Sequence, residues 1–420
     1  MTAEKRTTED KRVVITGIGL ISPIGSDRKT FLDALLAGKS GVRSIERFDT
    51  TEYPVKIAGE VTDFDPVDYI DRKMSRRMDR FAQYGAAASI MALDDSGYPV
   101  EEDPYAIGAL IASGVGGLDT FYDQIGVLLD KGPERVSPFF IPMIIANMAA
   151  ATSSMILGLK GPVSTTVTAC AAATNAIGDA FSIIRRGDAT AMLAGGAEAA
   201  VNEVGMSAFA AARAISARND EPQKASRPFD AGRDGFVMGE GSGVLVLEEM
   251  EHAVNRGAHI YGEIVGYGMT GDAYHFTEPV ESGEPAGHAI KRALADGGIE
   301  PSEVDYVNAH GTSTPLGDIM ETKAVKFALG DHASKVMISS NKSMFGHCLG
   351  AAGGLEAAAT LLTMEAGKVA PTINLDDPDP QCDLDYVPNV ARDAQVEVAI
   401  SNSFGFGGHN ATIALRRWHG

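Results

Sequence analysis

Short β-branched segments alternate with helices of small residues along this chain, and one such unit occurs twice. "TTVTACAAATNAIGDAFSIIRRGDATAML" and "VMISSNKSMFGHCLGAAGGLEAAATLLTMEAGKVAP" each run from a strand, through a chemically reactive type of residue, into a small-residue helix and a glycine turn. Around them, "RVVITGIG", "YAIGALIAS", "TAMLAGGAEA", "GVLVLEEM", "EIVGYGMT", "VDYVNAH", "KVMISSN" and "VEVAISNSFGF" read as short, largely buried strands. Helices are expected between them over 31–37, 80–94, 172–186, 286–296 and 355–365. Strands alternating with helices indicate an α/β protein. The repeat suggests two similar halves, with a boundary near "HAVNRGAHIYGEI" that divides the chain into 11–260 and 261–420.

Composition narrows what such a fold can do. A net charge of −20 argues against a general nucleic-acid binder, because phosphate contact needs a positive surface. Three cysteines in 420 residues do not make a disulfide framework. No charged segment leads into an apolar signal core, and no apolar run is long enough to span a membrane. The expectation is a cytoplasmic protein, with no function readable in its polar opening "MTAEKRTTED". The charge is uneven, however. "DRKMSRRMDR" carries Arg72, Lys73, Arg76, Arg77 and Arg80, and one continuous helix there would stack Arg72, Arg76 and Arg80 along a single face. Such a run is either a solvated helix or a docking patch for an acidic partner. The "GIG" after the first strand has no third glycine at dinucleotide-binding spacing, and Pro23 intervenes before a helix could begin.

Cys170 opens "CAAATNAIGDAF" at a strand-to-helix junction. The unsatisfied N–H groups and the dipole of a helix start can lower a thiol's pKa and can also hold an oxyanion. A buried, inert cysteine is the commoner fate of a free thiol, so other residues must decide. His310 in "VNAHGTSTPLGD" and His347 in "SSNKSMFGHCLGAAGG" both stand at glycine-flanked strand ends. Zinc binding by this trio is disfavoured: there is no CxxC or HxxxH spacing and no evident fourth ligand.

These segments, with "VVITGIGLISPIG", "SRPFDAGRDGFVMGEGSGVLVLE", "GDAYHFTEP" and "ISNSFGFGGHN", stand in one order that resembles the β-ketoacyl-acyl-carrier-protein synthases, above all those of bacterial fatty-acid elongation. The likeness covers nearly the whole chain after the first ten residues. It implies a thiolase-like fold of duplicated halves in an αβαβα sandwich, usually a homodimer. It further implies that Cys170 is the acyl-accepting nucleophile, and that His310 and His347 hold the malonyl thioester carbonyl. Lys342 and Glu356 would order that region. Phe406, with Phe404 beside it, would gate the acyl pocket, and Val115 would line it. Thr312 and Thr314 would line the pantetheine channel. The N–H groups of Phe406 and Cys170 would form the oxyanion hole. No metal or other cofactor is implied, since phosphopantetheine arrives on the carrier protein.

Acyl carrier proteins are acidic, so the resemblance gives the basic run a partner: Lys73, Arg76 and Arg77, with Arg213 of "AAARAIS", become docking residues. Two alternatives share the motifs. One is a ketosynthase subunit of a type II polyketide synthase. The other is a non-catalytic partner of the chain-length-factor kind, which would typically lack the nucleophile. A coenzyme A thiolase would need a second active cysteine where this chain has "SFGFGGHN".

Overall fold

The structure, a computed structural model, describes residues 10–420; the rest of the polar opening lies outside them. Ten strands build the main sheet: β1 (Val13–Ile21), β2 (Ile107–Ala112), β3 (Val163–Ser164), β4 (Ala191–Glu198), β5 (Gly241–Glu249), β6 (Gly262–Gly271), β7 (Tyr306–Asn308), β8 (Met337–Ser339), β9 (Val398–Gly405) and β10 (His409–Arg416). Their spatial order is β8-β7-β9-β10-β6-β1-β5-β4-β2-β3.

Read outward from its centre, that order is one arrangement used twice. Each half runs first strand, fifth, fourth, second, third: β1-β5-β4-β2-β3 on one side and β6-β10-β9-β7-β8 on the other. The sense of pairing repeats as well. The first strand is antiparallel to the fifth and the fifth to the fourth, while the fourth, second and third run parallel. The two sets meet through three residue pairs only: Val13 with Ile264, Val14 with Glu263 and Ile15 with Gly262. They form two β layers joined at that seam, and helices that touch both lie between them.

Seven helices make the layers: α1 (Arg80–Ser96), α2 (Leu118–Lys131), α3 (Met148–Leu157), α4 (Ala172–Arg185), α5 (Glu284–Asp296), α6 (Gly317–Leu329) and α7 (Ala352–Glu365). α1 covers one sheet with α3 packed against it, and α5 covers the other with α6. The small-residue helices α4 and α7 lie between the sheets and touch strands of both halves. Three of the cores match these layers: Phe81, Tyr84 and Val244 at α1; Ile290, Val325 and Ile400 at α5; and Ile177, Phe181, Leu355 and Ile413 in the middle. This is the αβαβα sandwich of thiolase-like enzymes.

The "GIG" of β1 and the "GYG" of β6 are packing devices. A Cβ on Gly19 would stand 1.9 Å from the carbonyl oxygen of Ala88 in α1, and one on Gly268 would stand 2.2 Å from that of Ala289 in α5. The first strand of each half gives up two side chains so that its outer helix can lie against bare backbone.

Residues 72–80 are not a single helix. The run holds two capping aspartates: Asp71 accepts from the N–H groups of Lys73 and Met74 and starts a one-turn helix, Arg72–Ser75, while Asp79 starts α1. Arg72, Arg76 and Arg80 therefore do not share a face. Arg80 turns inward, where it donates to the Val61 carbonyl at 2.9 Å and to the Tyr84 hydroxyl at 2.6 Å, close to the buried Glu240.

Candidate active site

Cys170 lies in a 3-10 turn, Ala169–Ala171, that leads into α4. The turn opens on Ala169 with φ of 50°, a left-handed conformation that is costly for a residue with a side chain. That twist turns the Cys170 side chain away from the helix and into a cavity of about 430 Å³, where the residue is 9% exposed. The N–H groups of Phe406 and of Cys170 itself both reach the sulfur. Gly405 makes this possible, since a Cβ there would sit 3.1 Å from the Cys170 nitrogen.

The thiol is not the lowered one that a helix start suggests. Burial pushes it up to about 11, and Glu198 adds to the rise; the charge of Lys342 and the Phe406 N–H pull the other way without prevailing. At neutral pH Cys170 is a protonated thiol.

His310 and His347 enter the same cavity from the other half. A single residue separates His310 from the end of β7. Its backbone N–H donates to Glu321 at 2.8 Å, and Gly311 donates to the other oxygen of that carboxylate at 2.7 Å, so an acid on α6 anchors the turn. His347 does not end a strand. After β8 the chain makes one further helical turn, Lys342–Phe345, which stops at Gly346 with φ of 76°, and His347 follows. Its N–H donates to the Val237 carbonyl at 2.7 Å. The two rings are perpendicular with centroids 5.3 Å apart, and Phe236 and Phe404 pack on their outer sides. Nδ1 of each histidine is buried without a hydrogen-bond partner among the described residues.

Electrostatics sets the protonation state of this pair. Burial, then the Lys342 charge, hold both imidazoles well below the usual histidine range, so both are neutral at pH 7. Lys342 is fully buried in an ion pair with Glu356, the fifth residue of α7. Burial raises Glu356 to about 7 against the pull of that lysine.

The remaining expected residues fall into three groups. Thr312, Thr314, Phe404, Phe406 and Arg213 line the cavity with the trio; the two threonine hydroxyls are 3.1 Å apart, and the Phe406 ring rests 6.4 Å from Phe209. Lys73, Arg76 and Arg77 form a separate exposed concavity with Arg72 and Phe139, where the Arg77 guanidinium lies 4.5 Å over the Phe139 ring. Val115 is brought to neither; it stands just before α2 and is 44% exposed. Sequence reasoning missed Glu198, Glu321 and Phe236. The signal for Glu198 was present, as a lone acid closing the apolar strand "AMLAGGAE". Among the described residues, no group of three or more His, Cys, Asp or Glu is arranged to hold a metal, and no helix is long and apolar enough to cross a membrane.

A soft nucleophile beside two backbone donors, facing two neutral imidazoles, can hold an acyl group and stabilise a second, enolate-like oxygen. Known proteins bear the same arrangement of chain. Family models for the β-ketoacyl synthase N-terminal and C-terminal domains match residues 10–253 and 261–376. The 3-oxoacyl-[acyl-carrier-protein] synthase 2 of Synechocystis sp. is 54% identical, over 98% of this chain and 99% of its own. Among solved structures, a β-ketoacyl synthase from Burkholderia phymatum superposes with a TM-score of 0.91 at 40% identity, covering 97% of this chain and 100% of that one. The ketosynthase of a type II polyketide synthase, solved in complex with its acyl-carrier protein and bound to the hexaketide, gives 0.91 at 36% identity over 98% of this chain and 100% of that one. With both halves matched and relatives aligned from end to end, the chain belongs to the β-ketoacyl synthase family of condensing enzymes.

Proposed function

We propose that this protein is a 3-oxoacyl-[acyl-carrier-protein] synthase that lengthens fatty acyl chains by two carbons. The observation that carries the reading is the meeting of Cys170, His310 and His347 in one cavity, with both imidazoles neutral and two backbone N–H groups at the sulfur. Identity of 54% to a synthase of this kind, against 36% to a polyketide ketosynthase, favours the fatty-acid role over the polyketide one. An intact Cys170 in the cavity argues against a non-catalytic partner subunit.

In the first stage the Cys170 sulfur attacks the thioester carbonyl of an acyl-carrier. The carbonyl oxygen becomes an oxyanion against the N–H groups of Cys170 and Phe406. The carrier thiol leaves with the proton that Cys170 gives up. Malonyl-carrier then enters, and its thioester oxygen accepts from His310 and His347. Neutral imidazoles suit this step, because each offers one N–H donor. Loss of CO2 leaves an electron pair that becomes the enolate, and preorganised donors of this type contribute about 3 kcal/mol each. The enolate carbon attacks the acyl-Cys170 carbonyl, the C–S bond breaks with its electron pair on sulfur, and the thiolate takes one proton from water, the one proton that each turnover consumes. Lys342, paired with Glu356, adds its charge to the burial that keeps the histidines neutral. Thr312 and Thr314 suit the wall of a pantetheine channel, and Phe404 and Phe406 the gate to the acyl chain.

The chemistry asks for no metal or redox cofactor, and the reading is of a cytoplasmic enzyme. An acidic acyl carrier protein would dock on Lys73, Arg76 and Arg77, with Arg213 at the cavity mouth. A homodimer is supported by apolar surface on α2, where Phe121 and Tyr122 are nearly half exposed and Leu129 is 79% exposed, and by the open edge of the sheet at β3. Val115 beside that surface would meet an acyl chain where a second copy covers it.

The test is intact-protein mass spectrometry after incubation with long-chain acyl-carrier protein, for wild type and Cys170→Ala. Wild type alone should gain the acyl mass, and malonyl-carrier should then discharge it as a 3-oxoacyl product. Wild type that stays unmodified across a series of acyl lengths would remove the condensing role.

A further inference from the structure

The duplication reaches into the site itself. α4 and α7 both follow a 3-10 turn, Ala169–Ala171 and Leu349–Ala351. Each turn opens on a left-handed residue, Ala169 at 50° and Leu349 at 45°. Gly350 therefore stands in the second half where Cys170 stands in the first. The strands that face these turns, β4 and β9, are both eight residues long and end at Glu198 and Gly405. A Cβ on Gly405 would press on the turn itself, 2.7 Å from the Thr168 carbonyl oxygen and 3.1 Å from the Cys170 nitrogen; the side chain of Glu198 runs to the Gly350 nitrogen.

The Glu198 carboxylate is fully buried and accepts four hydrogen bonds: Ser113 Oγ at 2.8 Å and the Val115 N–H at 3.3 Å on one oxygen, the Gly114 N–H at 2.7 Å and the Gly350 N–H at 2.9 Å on the other. All four partners donate and none accepts, so the bonding calls for the ionised form. We propose that Glu198 is a positioning residue whose carboxylate permanently fills the second half's counterpart of the anion-holding cradle at Cys170, and thereby locks the Leu349–Ala351 turn, which begins two residues after His347, against the Ser113–Val115 turn. The cradle at Cys170 stays open for substrate because the strand facing it, from the second half, ends in glycine; the counterpart at Gly350 is closed by the acid that ends the facing strand of the first half.

The inference rests on the condensing reading above, in which His347 serves the malonyl step and Cys170 the acyl step. Glu198→Gln keeps the shape but turns an amide NH2 towards N–H donors, so the Leu349–Ala351 turn, and with it the adjoining His347, should loosen. Two half-reactions are measured: acylation of Cys170 by intact mass, and CO2 release from malonyl-carrier. Decarboxylation should fall about 10- to 100-fold, as for a small displacement of a reacting group. Acylation should stay within about threefold of wild type, far above a loss of that size. Equal losses in both half-reactions, or no loss in either, would overturn the proposal. If the glutamine variant does not fold, Glu198→Asp, which keeps the charge but withdraws it from Gly350, is judged by the same split. Amide hydrogen exchange at Gly350 and Gly114, faster in the variant than in wild type, reads the lock without reference to activity. Should wild type perform neither half-reaction, the condensing reading fails, and unchanged exchange at these amides would then overturn the proposal on its own.

Discussion

At the scale of single residues, the site works by holding ordinary groups in unusual protonation states. Because burial raises the Cys170 thiol to about 11, its alkylation by iodoacetamide should speed up steadily with pH from 7 to 9, with no plateau below about 10. A plateau near neutrality would mean a standing thiolate and would contradict the burial argument. Lys342 gives a second prediction. Its charge helps to hold His310 and His347 low, so in wild type the neutral imidazoles persist well below the usual histidine range. Lys342→Met should raise both pKa values, and the acid limb of malonyl decarboxylation should move to higher pH. The same change leaves Glu356 without its ion partner, at a cost of about 3 kcal/mol in chemical denaturation, reduced if Glu356 takes up a proton.

At the scale of elements, the basic run separates into two jobs that the sequence shows as one. Arg76 and Arg77 are exposed between two helix starts, whereas Arg80 is drawn into a buried cluster with Tyr84 and Glu240. Charge reversal at Lys73 and Arg77 should raise KM for acyl-carrier substrates and leave small acyl-thioester analogues and the melting temperature nearly unchanged. Arg80→Met should do the opposite, lowering stability by about 3 kcal/mol as one of the cations facing Glu240 is lost. Equal KM losses for both substrate classes with Arg77→Glu would sink the docking role. Sequence reading found the elements well and their edges less well. Eight of the ten strands of the main sheet were legible from β-branched runs; the two-residue β3 was not among them, and β10 was missed because "HNATIAL" follows its partner across a three-residue glycine turn. His347 was expected at a strand end because the one-turn helix Lys342–Phe345 is too short to show a period.

At the scale of the whole molecule, two sheets joined by three residue pairs depend on helices that touch both. The close strand–helix approach at Gly19 and Gly268 is the same contact in each half. Gly19→Ala and Gly268→Ala should therefore destabilise by similar amounts, at least about 1–3 kcal/mol, read from urea midpoints. A large loss at one and none at the other would mean that the halves do not share their packing. The sequence by itself determined the α/β class and the repeated strand–turn–helix unit, because periodicity is a local property of a chain, and its motif order singled out Cys170, His310 and His347 through the family resemblance. Only the tertiary structure decided what state those groups are in and which neighbours serve them. Whether a thiol is raised or lowered depends on burial and on Lys342 and Glu198, which are far away in sequence. Whether a run of arginines is one surface or two depends on where Asp71 and Asp79 begin their helices, and on a buried carboxylate at Glu240 that draws Arg80 inward.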